Sequence, residues 1–368
     1  MRVREGIPLL LEVLKDPERA GGLELSRWDA LVRQARVNRL LGTLAHSVRD
    51  TGWWSRIPPA PRRHLEWALR LSRTHCAELE WELSRIAEAL RPLDTPVVLL
   101  KGAAYHVAGL KASAGRLFGD VDLLVEHRAL GAVEGALMRH GWVNAHHDPY
   151  DQRYYRQWMH ELPPMQHIQR GTIVDVHHAI LPPTARLKTD SRPLFDASVA
   201  VEGRPFRVLA REDMILHGAT HLFFSEGEMP HGCRDLVDLY HLVGTAADGE
   251  FWRRLQARAA ELGLEEPLML AAYFLDRAMG AALPREVQAW VADAFPGGMR
   301  GAVLRGALDS ALAVRESHHR TLSGALKEGY LIVRGHRQKM PLPLLVRHLG
   351  RKAWVGVFPD KPRGGVDR

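Results

Sequence analysis

Only two cysteines, Cys76 and Cys233, occur in 368 residues, and that excludes a disulfide framework. Long apolar runs are lacking too. Arg, His or Glu interrupts every candidate window, including Tyr330-Leu331-Ile332-Val333 and Pro341-Leu342-Pro343-Leu344-Leu345-Val346, so no transmembrane segment is expected. No apolar stretch of signal-peptide length follows Met1-Arg2-Val3-Arg4, which makes a reducing cytoplasm the expected location. Internal repeats and low-complexity segments are missing as well. A hydrophobic fraction of 46% rules out a disordered chain and is enough for two or three packed units.

Excess charge of one sign is absent from most of the chain. The formal charge is +7, and residues 333–368 alone carry nine Lys or Arg against Asp360 and Asp367, leaving the first 332 residues neutral. A basic tail with Trp354 and Phe358 among its charges could contact nucleic acid or an anionic membrane surface, or simply form a solvated end. Pro341, Pro343, Pro359 and Pro362 discourage one long helix there.

Against this background, Arg116-Leu117-Phe118-Gly119-Asp120-Val121-Asp122-Leu123-Leu124-Val125 stands out, because it sets two carboxylates inside an apolar run. On a strand, Asp120 and Asp122 share one face while Val121, Leu123 and Val125 enter a core. Two adjacent anions repel unless a cation lies between them, and their oxygens suit Mg²⁺; the plainer reading is the polar face of an edge strand. On the repulsion argument alone, Asn at either position should leave stability unchanged or higher. Upstream, Thr95-Pro96-Val97-Val98-Leu99-Leu100 reads as a buried strand that runs through Lys101-Gly102 into a helix, an arrangement able to cradle phosphate. Downstream, Met165-Gln166-His167-Ile168-Gln169 and Thr172-Ile173-Val174-Asp175-Val176-His177 form a hairpin across Arg170-Gly171, with Asp175 as a candidate third carboxylate.

Together these residues resemble the uncharacterised branch of the nucleotidyltransferases of the DNA polymerase β superfamily, well over residues 97–180 and more loosely to residue 243. Lys101-Gly102 stands where the superfamily usually has Gly-Gly or Gly-Ser, a substitution typical of that branch. The resemblance implies an α+β fold: a small mixed sheet with flanking helices, between N-terminal and C-terminal helical regions. It implies that Asp120, Asp122 and Asp175 hold two Mg²⁺ ions, with Mn²⁺ as a substitute, and that Asp175 also takes a proton. Lys101, Gly102 and Arg116 are then the nucleotide-binding residues, with ordinary ion pairing to nearby carboxylates as the other role for the two cations. The implied reaction moves a nucleoside monophosphate from a nucleoside triphosphate, ATP included, to an acceptor hydroxyl on a small molecule, peptide, protein or RNA. A catalytically inactive nucleotide- or partner-binding module of the same fold is the alternative, and a histidine-rich metallohydrolase a third reading.

The expected organisation is a helical region over residues 1–92, a nucleotidyltransferase core over 93–208, a helical domain over 209–332 and a basic tail over 333–368. Trp28, Trp67 and Trp81 are expected as core anchors. Glu212 and Asp213 fit the first turn of a helix through His217 and His221, whose spacing matches a two-histidine zinc helix but lacks its glutamate. The resemblance suggests instead that this helix and the next, with Arg234, Asp235 and Asp238, close one side of the nucleotide cleft. His177, His178 and His231 are expected as hydrogen-bonding groups.

Overall fold

The computed structural model describes residues 7–144, 149–225, 227–244, 248–316 and 321–341, together with 343 and 345. Its longest helix, Pro59–Leu90, starts on prolines suited to a first turn and has no glycine and no later proline to break it. Leu65, Leu69, Leu79, Leu83 and Ile86 form its buried stripe. Trp67 and Trp81 each lie two residues beyond a stripe leucine, about 200° around the axis, and face outward. They are 58% and 51% exposed, so the expectation of core anchors is corrected for both; Trp28, at 1%, does fill the core. Trp81 instead carries the guanidinium groups of Arg170 and Arg85, 5.0 and 5.8 Å from its ring.

Among the described residues seven strands follow: β1 (Val98–Leu99), β2 (Asp120–Leu124), β3 (Trp142–Asn144), β4 (Met165–His167), β5 (Ile173–His177), β6 (Val199–Ala200) and β7 (Arg207–Val208). They form one mixed sheet in the order β3-β4-β5-β2-β1-β7-β6. β2 runs parallel to β5 and β1 parallel to β7, while the other neighbours are antiparallel. The fold is therefore α+β, with helices before, between and after the strands. The hairpin turns at Gly171, whose φ of +71° favours glycine, and pairs Met165 with Val174. Arg170 then reaches back to the buried Glu82 with bonds of 2.9 and 3.0 Å, which ties the hairpin to the long helix.

Helices pack against the sheet, among them Lys101–Val107 on β2 and Leu130–Arg139 on β3. Arg211–Phe224 is buried on nearly every face, and its Asp213, wholly inaccessible, is gripped by two bonds of 2.7 and 2.8 Å from Arg258. Such a buried carboxylate needs this kind of fork to be retained. One hydrophobic core runs continuously from Leu10 to Leu331 and joins the N-terminal helices, the sheet and the C-terminal helices. The helix Leu322–Lys339 continues past residue 332, and Lys339 turns its backbone carbonyl to Thr184. The residues of the basic tail from 346 onward lie outside the described residues. Among the described residues no helix is long and apolar enough to cross a membrane.

Candidate active site

Strand register decides which acidic side chains meet. β2 and β5 pair in parallel with Asp122 directly opposite Asp175 and Asp120 opposite Ile173. Val121, Leu123, Val174 and Val176 are buried on the other face, as alternation requires. Asp120 is exposed at the start of β2, Asp122 is buried at 3%, and Asp175 is half-buried.

The three carboxyls differ in their partners. Oδ1 of Asp122 accepts the Lys101 ammonium at 2.6 Å and lies 3.0 Å from His177 Nε2. Burial opposes its ionisation, yet Lys101 and then His177 prevail and hold it far below the usual carboxylate range. Asp175 accepts a hydrogen bond from neither: burial, then the charges of Asp122 and Glu161, outweighs the nearby His177 and pushes its carboxyl up to about 7. Its Oδ1 is buried without a hydrogen-bond partner. Although Asp120 is exposed as a residue, the protein around its carboxyl removes enough water to raise it as well, with the charge of Asp122 adding to the effect.

The strand-to-helix turn is built differently from a bare phosphate cradle. Leu100 is extended, Lys101 adopts φ +46°, and the helix Lys101–Val107 follows. A β-carbon on Gly102 would meet Arg116 Nε at 2.8 Å and Phe118 Cδ1 at 3.2 Å, so the glycine makes room for Arg116. The Arg116 guanidinium is ion-paired with Asp238 on the helix Gly232–Val243 and lies 5.9 Å from the centre of the Tyr105 ring. Arg234 pairs with Asp235 at 2.7 Å. Of the two cations expected at the phosphates, Lys101 stands at the carboxylates and Arg116 is engaged by the helix Gly232–Val243.

Beside Lys101 opens a cavity of about 110 Å³, whose walls include His160, Glu161, His177, His217 and His221. His217 and His221 thus face the site from the helix Arg211–Phe224. Both imidazoles are held neutral: burial lowers His217 well below its ordinary value, and Lys101, then burial, lowers His221 to about 3. His178 turns instead to the carbonyl of Met159, at 3.3 Å. His160 and Glu161 were not legible as site residues, because neither shares a period with the strands. They arrive because Glu161 forms a β-bridge with His177, and its Oε2 lies 3.2 Å from His177 Nδ1.

A mixed sheet with in-register acidic side chains on adjacent parallel strands, beside a strand-to-helix turn, defines a nucleotidyltransferase-like protein. The family model described as an uncharacterised nucleotidyltransferase matches residues 24–280, and the chain belongs to that family. The crystal structure of an antigenic nucleotidyltransferase-like protein from Paracoccidioides brasiliensis is similar at 16% identity, covering 56% of this chain and 94% of that one, with a TM-score of 0.32. No curated protein matches the chain.

Proposed function

We propose that this protein is an Mg²⁺-dependent nucleotidyltransferase that moves a nucleoside monophosphate from a nucleoside triphosphate to an acceptor hydroxyl. The observation that carries the reading is the crowding of Asp120, Asp122 and Asp175, in which Asp175 rises to about 7 and keeps a buried oxygen unpartnered. Such an oxygen cluster fits a hard divalent cation, since oxygen donors of this kind are what Mg²⁺ and Mn²⁺ accept. Asp120, Asp122 and Asp175 would hold the two ions that the family resemblance implies. Bound there, the metal would offset phosphate charge and lower the pKa of the acceptor hydroxyl.

The chain's own groups would do the rest. Asp175 would take the hydroxyl proton, while Lys101 would turn its ammonium from Asp122 to phosphate oxygens. Arg116 would have to leave Asp238 to do the same, so Lys101 is the nearer cation for that task. Holding donor and acceptor in line against fixed charge would supply most of the rate. A second reading, an inactive binding module, draws on the Lys101–Asp122 pair, which neutralises one carboxylate without any metal.

Incubation with each labelled nucleoside triphosphate and Mg²⁺ or Mn²⁺, offering the protein itself, RNA and cell extract as acceptors, tests the choice. Label should transfer with the wild-type chain and not with Asp120→Asn. Failure of every donor, metal and acceptor would leave the binding module as the better account.

A further inference from the structure

We propose that His160, Glu161 and His177 form a second metal site, selective for a borderline transition cation such as Zn²⁺ and separate from the oxygen site proposed for Mg²⁺. One ligand atom from each residue lies within 4.8 Å of the others. Bonds of about 2.0–2.2 Å to a common Zn²⁺ need separations of roughly 3–4 Å, within reach of small side-chain rotations.

The His177 ring supplies the decisive constraint. Its Nε2 lies 3.0 Å from Asp122 Oδ1 and its Nδ1 3.2 Å from Glu161 Oε2. The imidazole is thus held edge-on between two carboxylates, with Nε2 turned to Asp122 and Nδ1 to Glu161. A cation placed between Nδ1 and Glu161 Oε2 would be ligated by both, with Nε2–H donating to Asp122. Histidine ligands in protein metal sites habitually give their other N–H to a carboxylate in this way.

His160 completes the set. Its ring centre is 5.3 Å from that of His177, and its Nδ1 is buried with no hydrogen-bond partner. Burial keeps the ring neutral, which leaves a lone pair for a metal. The backbone fixes the three residues together: Leu162 N–H donates to Val176 O and His178 N–H to His160 O, each at 2.8 Å, with Glu161 bridged to His177 between them. The adjoining cavity, about 110 Å³, has room for several water-sized ligands, which need about 30 Å³ each, so positions on the ion would stay open. Two imidazoles and one carboxylate suit Zn²⁺ or another late transition ion, whereas Mg²⁺ prefers oxygen alone.

Calorimetric titration of the chelator-treated full chain with Zn²⁺, in excess Mg²⁺, tests the site, and Co²⁺ provides a visible-absorption signature. Wild type should bind one Zn²⁺ that Mg²⁺ does not displace. His160→Gln and Glu161→Gln should each weaken it by about 100-fold or more, since loss of even an outer hydrogen-bond partner costs about 10–100-fold. If His160→Gln fails to fold by circular dichroism, Glu161→Gln carries the test, its side chain being 21% exposed. No tight Zn²⁺ binding by wild type, or the same affinity in the folded variants, overturns the proposal. Nucleotide transfer plays no part in this readout, so its outcome is independent of the proposed transferase activity.

Discussion

Replacing Asp175 by Asn removes a charge that the folded protein tolerates poorly. Burial, then Asp122 and Glu161, lifts this carboxyl from an ordinary 3.8 to about 7. Unfolded, it titrates near about 3.9. Between those pH values the folded chain keeps a proton that the unfolded chain has released. The associated stability is therefore complete below about pH 4 and is lost as pH rises through about 7. About three pH units at 1.36 kcal/mol each correspond to roughly 4 kcal/mol, an upper bound because neighbouring carboxyls relax as well. In the metal-free protein Asp175→Asn should thus raise stability by about 2–4 kcal/mol at pH 8 and by little at pH 4.5. Urea denaturation at both pH values measures this. Excess Mg²⁺ should then stabilise wild type and not the variant, since a bound ion supplies the missing counter-charge. A variant less stable than wild type at pH 8, or a difference independent of pH, would refute the account of Asp175 as a crowded, unsupported anion.

Two further outcomes follow from the pairing of Asp122. Asp120→Asn should leave metal-free stability equal or higher, as repulsion alone implies, but Asp122→Asn should lower it by roughly 2–4 kcal/mol, because it strands Lys101 and His177; thermal melts of the two variants separate these cases. Lys101→Ala should cost about 3 kcal/mol by unpairing buried Asp122 and should tighten Mg²⁺ binding without nucleotide, while Lys101→Gly should recover about 1 kcal/mol of that loss by relieving the φ of +46°. Equal melting of the Ala and Gly variants would count against the backbone strain, and unchanged Mg²⁺ affinity against the competition between ammonium and metal.

Much of the site is legible in local pattern. Alternation along β2 and β5 puts Asp120 and Asp122 on one face of β2 and Asp175 on the face of β5 away from its valines, and Gly171 sets the turn of the β4–β5 hairpin, though the pairing that brings Asp175 opposite Asp122 is made between distant strands. The strand, turn and helix around Lys101-Gly102 are equally readable, since each depends on residues a few positions apart. The helix carrying His217 and His221 was readable too, as were its acidic first turn and the absence of a bilayer-length apolar run.

The sequence by itself determined these elements and faces, because periodicity and turn chemistry are properties of neighbours along the chain. Only the tertiary structure decided the partners. Arg116 finds Asp238 across 122 residues, Arg170 finds Glu82 across 88, and Glu161 meets His177 through a single bridge that no spacing announces. Trp67 and Trp81 turned outward because which stripe of Pro59–Leu90 is covered depends on what packs against it. Likewise, whether Lys101 faces phosphate or a carboxylate depends on Coulomb energy, which is set by distance in space and by burial, and both are fixed only when the strands pair and the helices close over them.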